Sequence, residues 1–221
     1  MLRVETHMHT TESDGKPTPR EAVKAASRRG LDAIIVTDHD TFMGSVKALG
    51  EARSLGLDLV VVYGAEVRTR WGDVVVACGS MPSTEPPRDL LELGDWRSSE
   101  GCVTIAVHPF HFYLPALGRR LYEASGSIDA VEVWNATSFY PLNLPAMRAA
   151  RSLGKPGVSG SDAHVEAMIG VAPTLVDSRP DPDEIIGAIA RGRVRPVYGY
   201  SIRGLINHLF WSAERRLSSI I

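Results

Sequence analysis

What most constrains this chain is a steady rhythm. Short, apolar, β-branched runs alternate with helical stretches that stop at glycine. After an opening "RVE" (3–5), the segments "AIIVTD" (33–38), "LVVVYGAEV" (59–67), "DVVVACG" (73–79), "VTIAVH" (103–108), "AVEVW" (130–134), "PGVSGSD" (156–162), "APTLVD" (172–177) and "VRPVYG" (194–199) read as strands. Their continuous apolar character predicts burial on both faces, as in a parallel sheet wrapped by helices. Thr18, Pro19 and Glu21 supply an N-cap, a proline at the first helical position and a capping-box glutamate, and Gly30 marks the stop. "GSVKALGEARSLG", "PLNLPAMRAARSLG" and "DPDEIIGAIARG" end at glycine in the same way. The alternation predicts an α/β fold, and barrel-like closure fits a chain of 221 residues with no internal repeat, low-complexity tract or long linker.

Residues 1–200 read as one barrel domain, and 201–221 as an amphipathic helix. Ile202, Leu205, Ile206, Leu209, Ala213 and Leu217 fall at helical spacing, with Arg203, His208, Glu214 and Arg215 on the other side. The expected role is a closing helix packed on the barrel. A homodimer contact or a membrane-surface helix is the alternative, because Phe210, Trp211, Ile220 and Ile221 add apolar surface.

Composition narrows the function classes. Hydrophobic residues at 44% and charged residues at 23% are ordinary for a soluble globular protein. A net charge of −2 gives no broad basic surface for wrapping duplex nucleic acid. No apolar run reaches membrane-spanning length, and no charged n-region with an apolar h-region opens the chain, so the expected location is the cytoplasm. Cys78 and Cys102 form no C-x-x-C pair and are expected to line the core rather than build a disulfide or a zinc knuckle.

The chemistry gathers at the C-terminal ends of the strands. His7 and His9 follow the first strand as H-x-H, and alternate residues of an extended segment point the same way, so both imidazoles can reach one ion. Asp14 lies on the following loop. His39 closes "TDHD", Glu66 closes "GAEV", His108 ends "AVHPF", and Asp162 and His164 end "GVSGSDAH". In a (β/α) barrel, residues at these strand ends converge in one mouth. Six of the seven histidines lie in or beside such segments, His208 being the exception in the last helix. Buried carboxylates and imidazoles together call for cations, and a thiolate-free set of nitrogen and oxygen donors points to Zn, Mn or Fe rather than Ca. Two or three divalent ions would fit this donor set.

The ordered set His7, His9, Asp14, "TDHD" with His39, "GAEV" with Glu66, "HP" with His108 and "SDAH" with Asp162 and His164 resembles the PHP (polymerase and histidinol phosphatase) metal-dependent phosphoesterases. "VEVWNA" (131–136) and "IGVAPTLVD" (169–177) follow in the same order, so the resemblance covers nearly the whole chain. It implies a distorted TIM-like (β/α)7 barrel with a trinuclear metal centre. It further implies that His7, His9, Glu66 and Asp162 hold one ion, that Glu66 bridges to a second shared with His108, and that Asp14, His39 and His164 hold the third. A hydroxide bridging the ions, held by Glu66 and Asp162, would then be the nucleophile. One position departs from the family pattern. Where such proteins commonly supply another histidine from the next strand, this chain reads "EVRTRWGDVVVACG", and Asp73 is either a substitute oxygen ligand or an ordinary hairpin residue.

Substrate contacts are expected around the mouth. Arg68, Arg70, Arg119 and Arg120 are candidate phosphate forks, with solvated surface charge as the alternative for each. His111 could bind phosphate or protonate a leaving group. Asp38 and Asp40 are expected to orient imidazoles, and Asn135 to hydrogen-bond a ligand or water. No G-x-S-x-G elbow or Walker A loop is present. The expected function is hydrolysis of a phosphomonoester or phosphodiester of a nucleotide, short oligonucleotide or small phosphorylated metabolite. The alternatives are a histidinol-phosphate-type phosphatase, an amidohydrolase-like enzyme, and a non-catalytic RNA-binding barrel subunit like that of ribonuclease P.

Overall fold

The computed structural model describes residues 1–138 and 140–218, with side chains through residue 215. Its elements run β1 (Leu2–Glu5), α1 (Pro19–Arg28), β2 (Ala33–Val36), α2 (Met43–Ser54), β3 (Val60–Arg68), β4 (Asp73–Cys78), α3 (Leu90–Ser99), β5 (Cys102–Ala106), α4 (Arg120–Glu123), β6 (Ala130–Asn135), α5 (Tyr140–Leu153), β7 (Gly157–Gly160), β8 (Thr174–Val176), α6 (Pro182–Ala190), β9 (Val194–Pro196) and α7 (Ile202–Ser218). The strands form one sheet in the order β7-β6-β5-β4-β3-β2-β1-β8-β9. Ser159 on β7 nearly closes it into a barrel: its N–H donates to Thr174 Oγ1 at 2.8 Å and its Oγ accepts from Val197 N–H at 3.0 Å. The result is the distorted TIM-like α/β barrel.

The sheet is mixed rather than wholly parallel. β1-β2-β3 and β5-β6-β7 pair in parallel, but β4 runs antiparallel between β3 and β5, and β8 antiparallel between β1 and β9. The reason at β4 is length. Arg68 and Asp73 face each other across a hairpin, and the residues between them are too few for a parallel crossover. Helix α3 was not foreseen either. Asp89 caps it through the N–H groups of Leu91 and Glu92, but it buries only Leu90 and Leu93, so its sequence shows almost no apolar periodicity.

The other helix ends follow the local chemistry. Thr18 Oγ1 accepts from Glu21 N–H while the Glu21 carboxylate accepts from Thr18 N–H, completing the capping box. At the far end Gly30 adopts φ +64°, its N–H bonds Ser27 O, and Leu31 N–H bonds Ala26 O. This pair of bonds closes a Schellman motif, which requires a left-handed residue.

Cys78 and Cys102 form a disulfide, contrary to the expectation of two free core thiols. They are directly opposed on antiparallel β4 and β5 with Cα atoms 4.3 Å apart, a proximity that only the reversed strand creates.

The N-terminal end of the parallel strands is sealed by α6. Its Ile185, Ile186 and Ile189 pack with Val4, Ile35, Val62, Val75 and Ile105, and full burial of each isoleucine contributes about 2 kcal/mol. The opposite end is left to polar residues.

Helix α7 is turned differently from its expected apolar face. Leu205 and Trp211 pack on the barrel, while Ile202, Leu209 and Phe210 are 77%, 67% and 68% exposed. The stripe facing the protein is Leu205, His208, Trp211, Ser212 and Arg215, which carries residues assigned from sequence to the solvent side. The side chain of Leu217 and residues Ile220 and Ile221, counted in the expected apolar face, lie outside the described residues. No helix among the described residues is long and apolar enough to cross a membrane.

Candidate metal centre

The polar end of the barrel gathers His7, His9, Asp14, His39, Glu66, Asp73, His108, Asp162 and His164. They form four overlapping groups, each with one ligand atom per residue within 4.8 Å of the others: His9-Asp14-His39-His164, His7-His9-Glu66, His7-His108-Asp162 and Glu66-Asp73-His108. Against the arrangement implied by the family resemblance, His9 also joins the Asp14 group, and Asp162 lies with His108 as well as with His7 and His9.

Glu66 is central. Its Oε2 lies 3.4 Å from His7 Nε2, 3.2 Å from His9 Nε2 and 3.3 Å from His39 Nδ1, and its Oε1 lies 3.0 Å from His108 Nε2. Asp162 Oδ1 lies 3.7 Å from His7 Nε2, 3.6 Å from His9 Nε2 and 3.4 Å from His164 Nδ1. Asp14 faces His164 Nε2 at 3.1 Å and His39 Nε2 at 3.6 Å. His108 and Asp162 take φ values of +32° and +49°, a left-handed turn that His and Asp tolerate better than most side chains. Strained backbone of this kind collects at functional sites.

The electrostatics is that of mutual dependence. Burial alone would lower the pKa of His7, but Glu132, Asp162 and Glu66 raise it well above 6.5. Burial likewise opposes protonation of His9, and hydrogen bonding to Asp162 and Glu66 lifts it to about 10. Burial would raise Glu66 and Asp162, yet the surrounding imidazoles hold both well below the usual carboxylate range. Asp73 behaves oppositely: burial and the charge of Glu66 push it up to about 7. A buried carboxyl pressed against a second one is a place where positive charge is missing.

The donor set fits divalent ions. Among the described residues, the buried atoms His9 Nδ1, His39 Nδ1, His108 Nδ1, Asp14 Oδ1 and Asp73 Oδ1 make no well-aligned hydrogen bond, although Asp14 Oδ1 lies 3.1 Å from His164 Nε2 and His39 Nδ1 3.3 Å from Glu66 Oε2. Lone pairs left this way at such density are explained by ligands.

Beneath these residues lie acids that the sequence reading did not assign. Glu132, buried on β6, faces His7 Nδ1 with Oε1 at 3.0 Å, and its Oε2 accepts from His108 N–H at 2.7 Å. Glu5 is also buried and accepts from His7 N–H, Ser161 N–H, Ser161 Oγ and Gly170 N–H, tying β1 to the Asp162 loop. A carboxylate inside an otherwise apolar strand, as in "AVEVW", is the signal that could have found Glu132, since such a group must be partnered. Gly160 is required here, because an added Cβ would sit 2.5 Å from Glu132 Oε1 and 2.7 Å from His7 Cβ.

Several expected roles change. Among the described residues, Asp38 and Asp40 make no hydrogen bond or ion pair to an imidazole. Asp38 accepts from Thr10 N–H, Thr10 Oγ1 and Ser13 Oγ, which anchors the loop carrying Asp14, and Asp40 accepts from Arg68 N–H. Asn135 is fully buried and donates to Glu132 and Asp162, with no exposed surface toward the mouth. His111 is buried, pairs through Nε2 with Ser138 Oγ, and is lowered to about 4 by burial and the charge of His108. It is therefore neutral at pH 7, which suits a hydrogen-bonding role and not a cationic phosphate ligand. Arg68 ends β3 and Arg70 follows it, both exposed, Arg119 precedes α4, and Arg120 lies over the Trp71 ring at 5.4 Å.

Above the cluster opens a cleft of about 490 Å³, lined by Asp14, Asp162, His164, Thr137, Tyr113 and Leu114, and by His208, Leu209, Ser212 and Arg215 of α7. None of the four expected arginines lines it. His208 lies against His164 with ring centroids 5.2 Å apart, so the one histidine set aside from the site in the sequence reading belongs at its rim.

Comparison with known proteins gives the family. The PHP domain family matches residues 5–123, more than half of the chain, and the PHP-associated family matches residues 141–194. An uncharacterised protein of Methanocaldococcus jannaschii is 28% identical over 148 residues, which are 61% of this chain and 82% of that protein. A 5'-3' exoribonuclease of Haemophilus influenzae is 35% identical over 69 residues, 31% of this chain and 24% of that enzyme. Among solved structures, a two-domain Bacteroides vulgatus protein containing a predicted PHP-like metal-dependent phosphoesterase shares the fold at TM-score 0.71 and 21% identity, over 90% of this chain and 65% of that one.

Proposed function

The chain belongs to the PHP domain family, and we propose that it is a metal-dependent phosphoesterase acting on a phosphomonoester or phosphodiester of a nucleotide, short oligonucleotide or small phosphorylated metabolite. The observation that carries this reading is the convergence of nine nitrogen and oxygen donors, several of them buried without a well-aligned hydrogen bond, under one open cleft. His7, His9, Asp14, His39, Glu66, His108, Asp162 and His164 would hold two or three divalent ions, with Asp73 as a further oxygen donor beside Glu66 and His108. Zn, Mn and Fe suit the donor types. Ions bound there supply a phosphate-neutralising charge and an ionised water near neutral pH.

The protein's own groups prepare that chemistry. Glu132 accepts the His7 Nδ1 proton, which leaves Nε2 turned toward Glu66 and Asp162 with its lone pair free. Asn135 and Thr137 both donate to Asp162 Oδ2, fixing the carboxylate so that Oδ1 faces the imidazoles. The buried floor keeps bulk water away from the donors, and the cleft admits substrate from one side. The exoribonuclease relative favours a nucleotide-type substrate, through a match confined to about a quarter of that enzyme.

The test is reconstitution. Protein stripped of metal and then given Mn, Zn, Fe or Mg is expected to hydrolyse p-nitrophenyl phosphate or its bis ester, and His9→Ala to lose both bound metal and activity. Failure of every metal to restore hydrolysis of either ester refutes the reading.

A further inference from the structure

The cleft is lined on one side by a helix that lies outside both family-matched regions, since α7 begins at Ile202 and the second match ends at residue 194. That helix is fastened to the loop carrying Asp14. Trp211 Nε1 donates to Asp14 O at 3.1 Å, and Arg215 Nη1 donates to Asp14 Oδ2 at 2.5 Å and to Asp14 O at 3.4 Å. Among the described residues lining the cleft, Arg215 is the only lysine or arginine. Its side chain is 47% exposed, and its bonds to Asp14 use Nη1 alone, whereas a guanidinium carries five N–H donors. Beside it, His208 lines the same cleft and has a buried Nδ1 without a partner.

The geometry points to α7 as the substrate-recognition wall of this site, with Arg215 binding phosphoryl oxygens of the ester and His208 as a neighbouring hydrogen-bonding group. The inference rests on the phosphoesterase reading. A phosphoryl group entering the cleft carries negative charge toward the carboxylates Asp14 and Asp162, and Arg215 is the permanent cation placed to meet it. The planar fork can keep an N–H on Asp14 while offering a parallel pair of others to phosphate, a bidentate geometry that a lysine ammonium lacks. Tyr113, Leu114 and Leu209 line the same cleft, so its wall offers apolar surface to the leaving group. The selected substrate is thus a phosphoester whose alcohol has an aromatic or apolar flank. Because the wall comes from α7, selectivity is a property of this chain's own C-terminal helix.

The test titrates inorganic phosphate into metal-loaded protein by calorimetry, comparing wild type with Arg215→Ala and Arg215→Lys and measuring metal per chain for each. Metal content is expected to stay at the wild-type value. Arg215→Ala is expected to weaken phosphate about ten- to hundredfold, the effect of one charge-assisted interaction, with Arg215→Lys between the two. For p-nitrophenyl phosphate, KM should rise by the same factor with kcat changed less. Unaltered phosphate affinity at full metal content overturns the inference. So does a loss of metal that accounts for the whole loss of affinity, which would make Arg215 a support of Asp14. A wild type that binds phosphate through Arg215 but hydrolyses no ester refutes the phosphoesterase reading and leaves the anion site standing. Hydrolysis with phosphate affinity untouched by Arg215→Ala removes the inference alone.

Discussion

Replacing Glu132 by glutamine exchanges one oxygen for an NH2 group and changes almost no volume, yet the structure predicts a large effect. Oε2 must remain an oxygen, because it accepts from the fixed backbone N–H of His108 at 2.7 Å and from Asn135 Nδ2 at 3.0 Å. The amide NH2 of Glu132→Gln is then forced to the Oε1 position, against His7 Nδ1, where 3.0 Å now separates the groups. Two N–H groups cannot face each other, so the imidazole must move its proton to Nε2. That is the nitrogen turned toward Glu66 and Asp162, and a protonated Nε2 has no lone pair for a metal.

The magnitudes follow. Losing a well-made partner outside a metal's own ligands lowers metal affinity about 10- to 100-fold. In metal-free protein the surrounding carboxylates favour the charged form of His7, and loss of its bond to one of them removes about 2 kcal/mol. For a domain of this size that is about 4–8 °C in melting temperature. Competition with a chromophoric chelator measures the affinity, circular dichroism the melting, and long-range nitrogen-proton correlation the His7 tautomer. Wild-type metal affinity with the Nδ1–H tautomer retained would show that Glu132 does not orient His7.

Four further outcomes are expected. Reduction of the Cys78–Cys102 disulfide, whose cysteines are 24 residues apart, should remove about 3 kcal/mol of stability by loop entropy; two free thiols titrated in unreduced, unfolded protein would contradict the pairing. Asp73→Ala should lower the number of bound ions or the affinity of the weakest one, measured by metal analysis after dialysis, and unchanged content would remove Asp73 from the centre. Thr18→Ala breaks the capping box and should lower stability by about 1 kcal/mol in denaturant unfolding, an unchanged midpoint arguing against the cap. His9 holds its proton up to about 10 in the fold against 6.5 ordinarily, so its contribution to metal-free stability is complete below pH 6.5 and lost as pH rises through 10; melting temperature should fall across that window, and a flat profile would refute the pairing.

How much of this was legible in the chain depends on which way each side chain faces. His7, His9, His39, Glu66, His108, Asp162 and His164 stand at or just beyond strand ends, where polar residues interrupt apolar runs and the interruption is visible. The α1 boundaries were legible because Thr18, Glu21 and Gly30 act within a few residues of themselves. The direction of β4 was not, since a run of valines is apolar on both faces in either orientation, and the short hairpin link carried the only clue. The disulfide follows from that direction and was hidden with it. Helix α7 was misjudged because its apolar residues outnumber what the barrel covers. The barrel takes Leu205 and Trp211, and the cleft takes His208 and Arg215, so the buried stripe is set by what lies opposite and not by hydrophobicity along the helix.

Three acids, two of them unassigned from the sequence and one expected in another role, explain why the site can be built at all. Glu5, Asp38 and Glu132 are fully or almost fully buried, and none faces a cation such as Lys or Arg. Each is met by N–H or O–H donors from a segment that carries a candidate ligand: Glu5 by His7 and Ser161, Asp38 by Thr10 and Ser13, Glu132 by His7, His108 and Asn135. Hydrogen bonds to charged acceptors are the stronger kind, and here they hold loops and not helices. Where two carboxylates meet, as at Glu66 and Asp73, the ligand-bearing segments repel one another, so the imidazole–carboxylate pairs are not all that holds the barrel mouth together. The lower tier of acids fixes the segments from below, and the upper tier is left short of positive charge. A site assembled this way is ordered before any ion arrives, which is the condition for binding ions without refolding the mouth of the barrel.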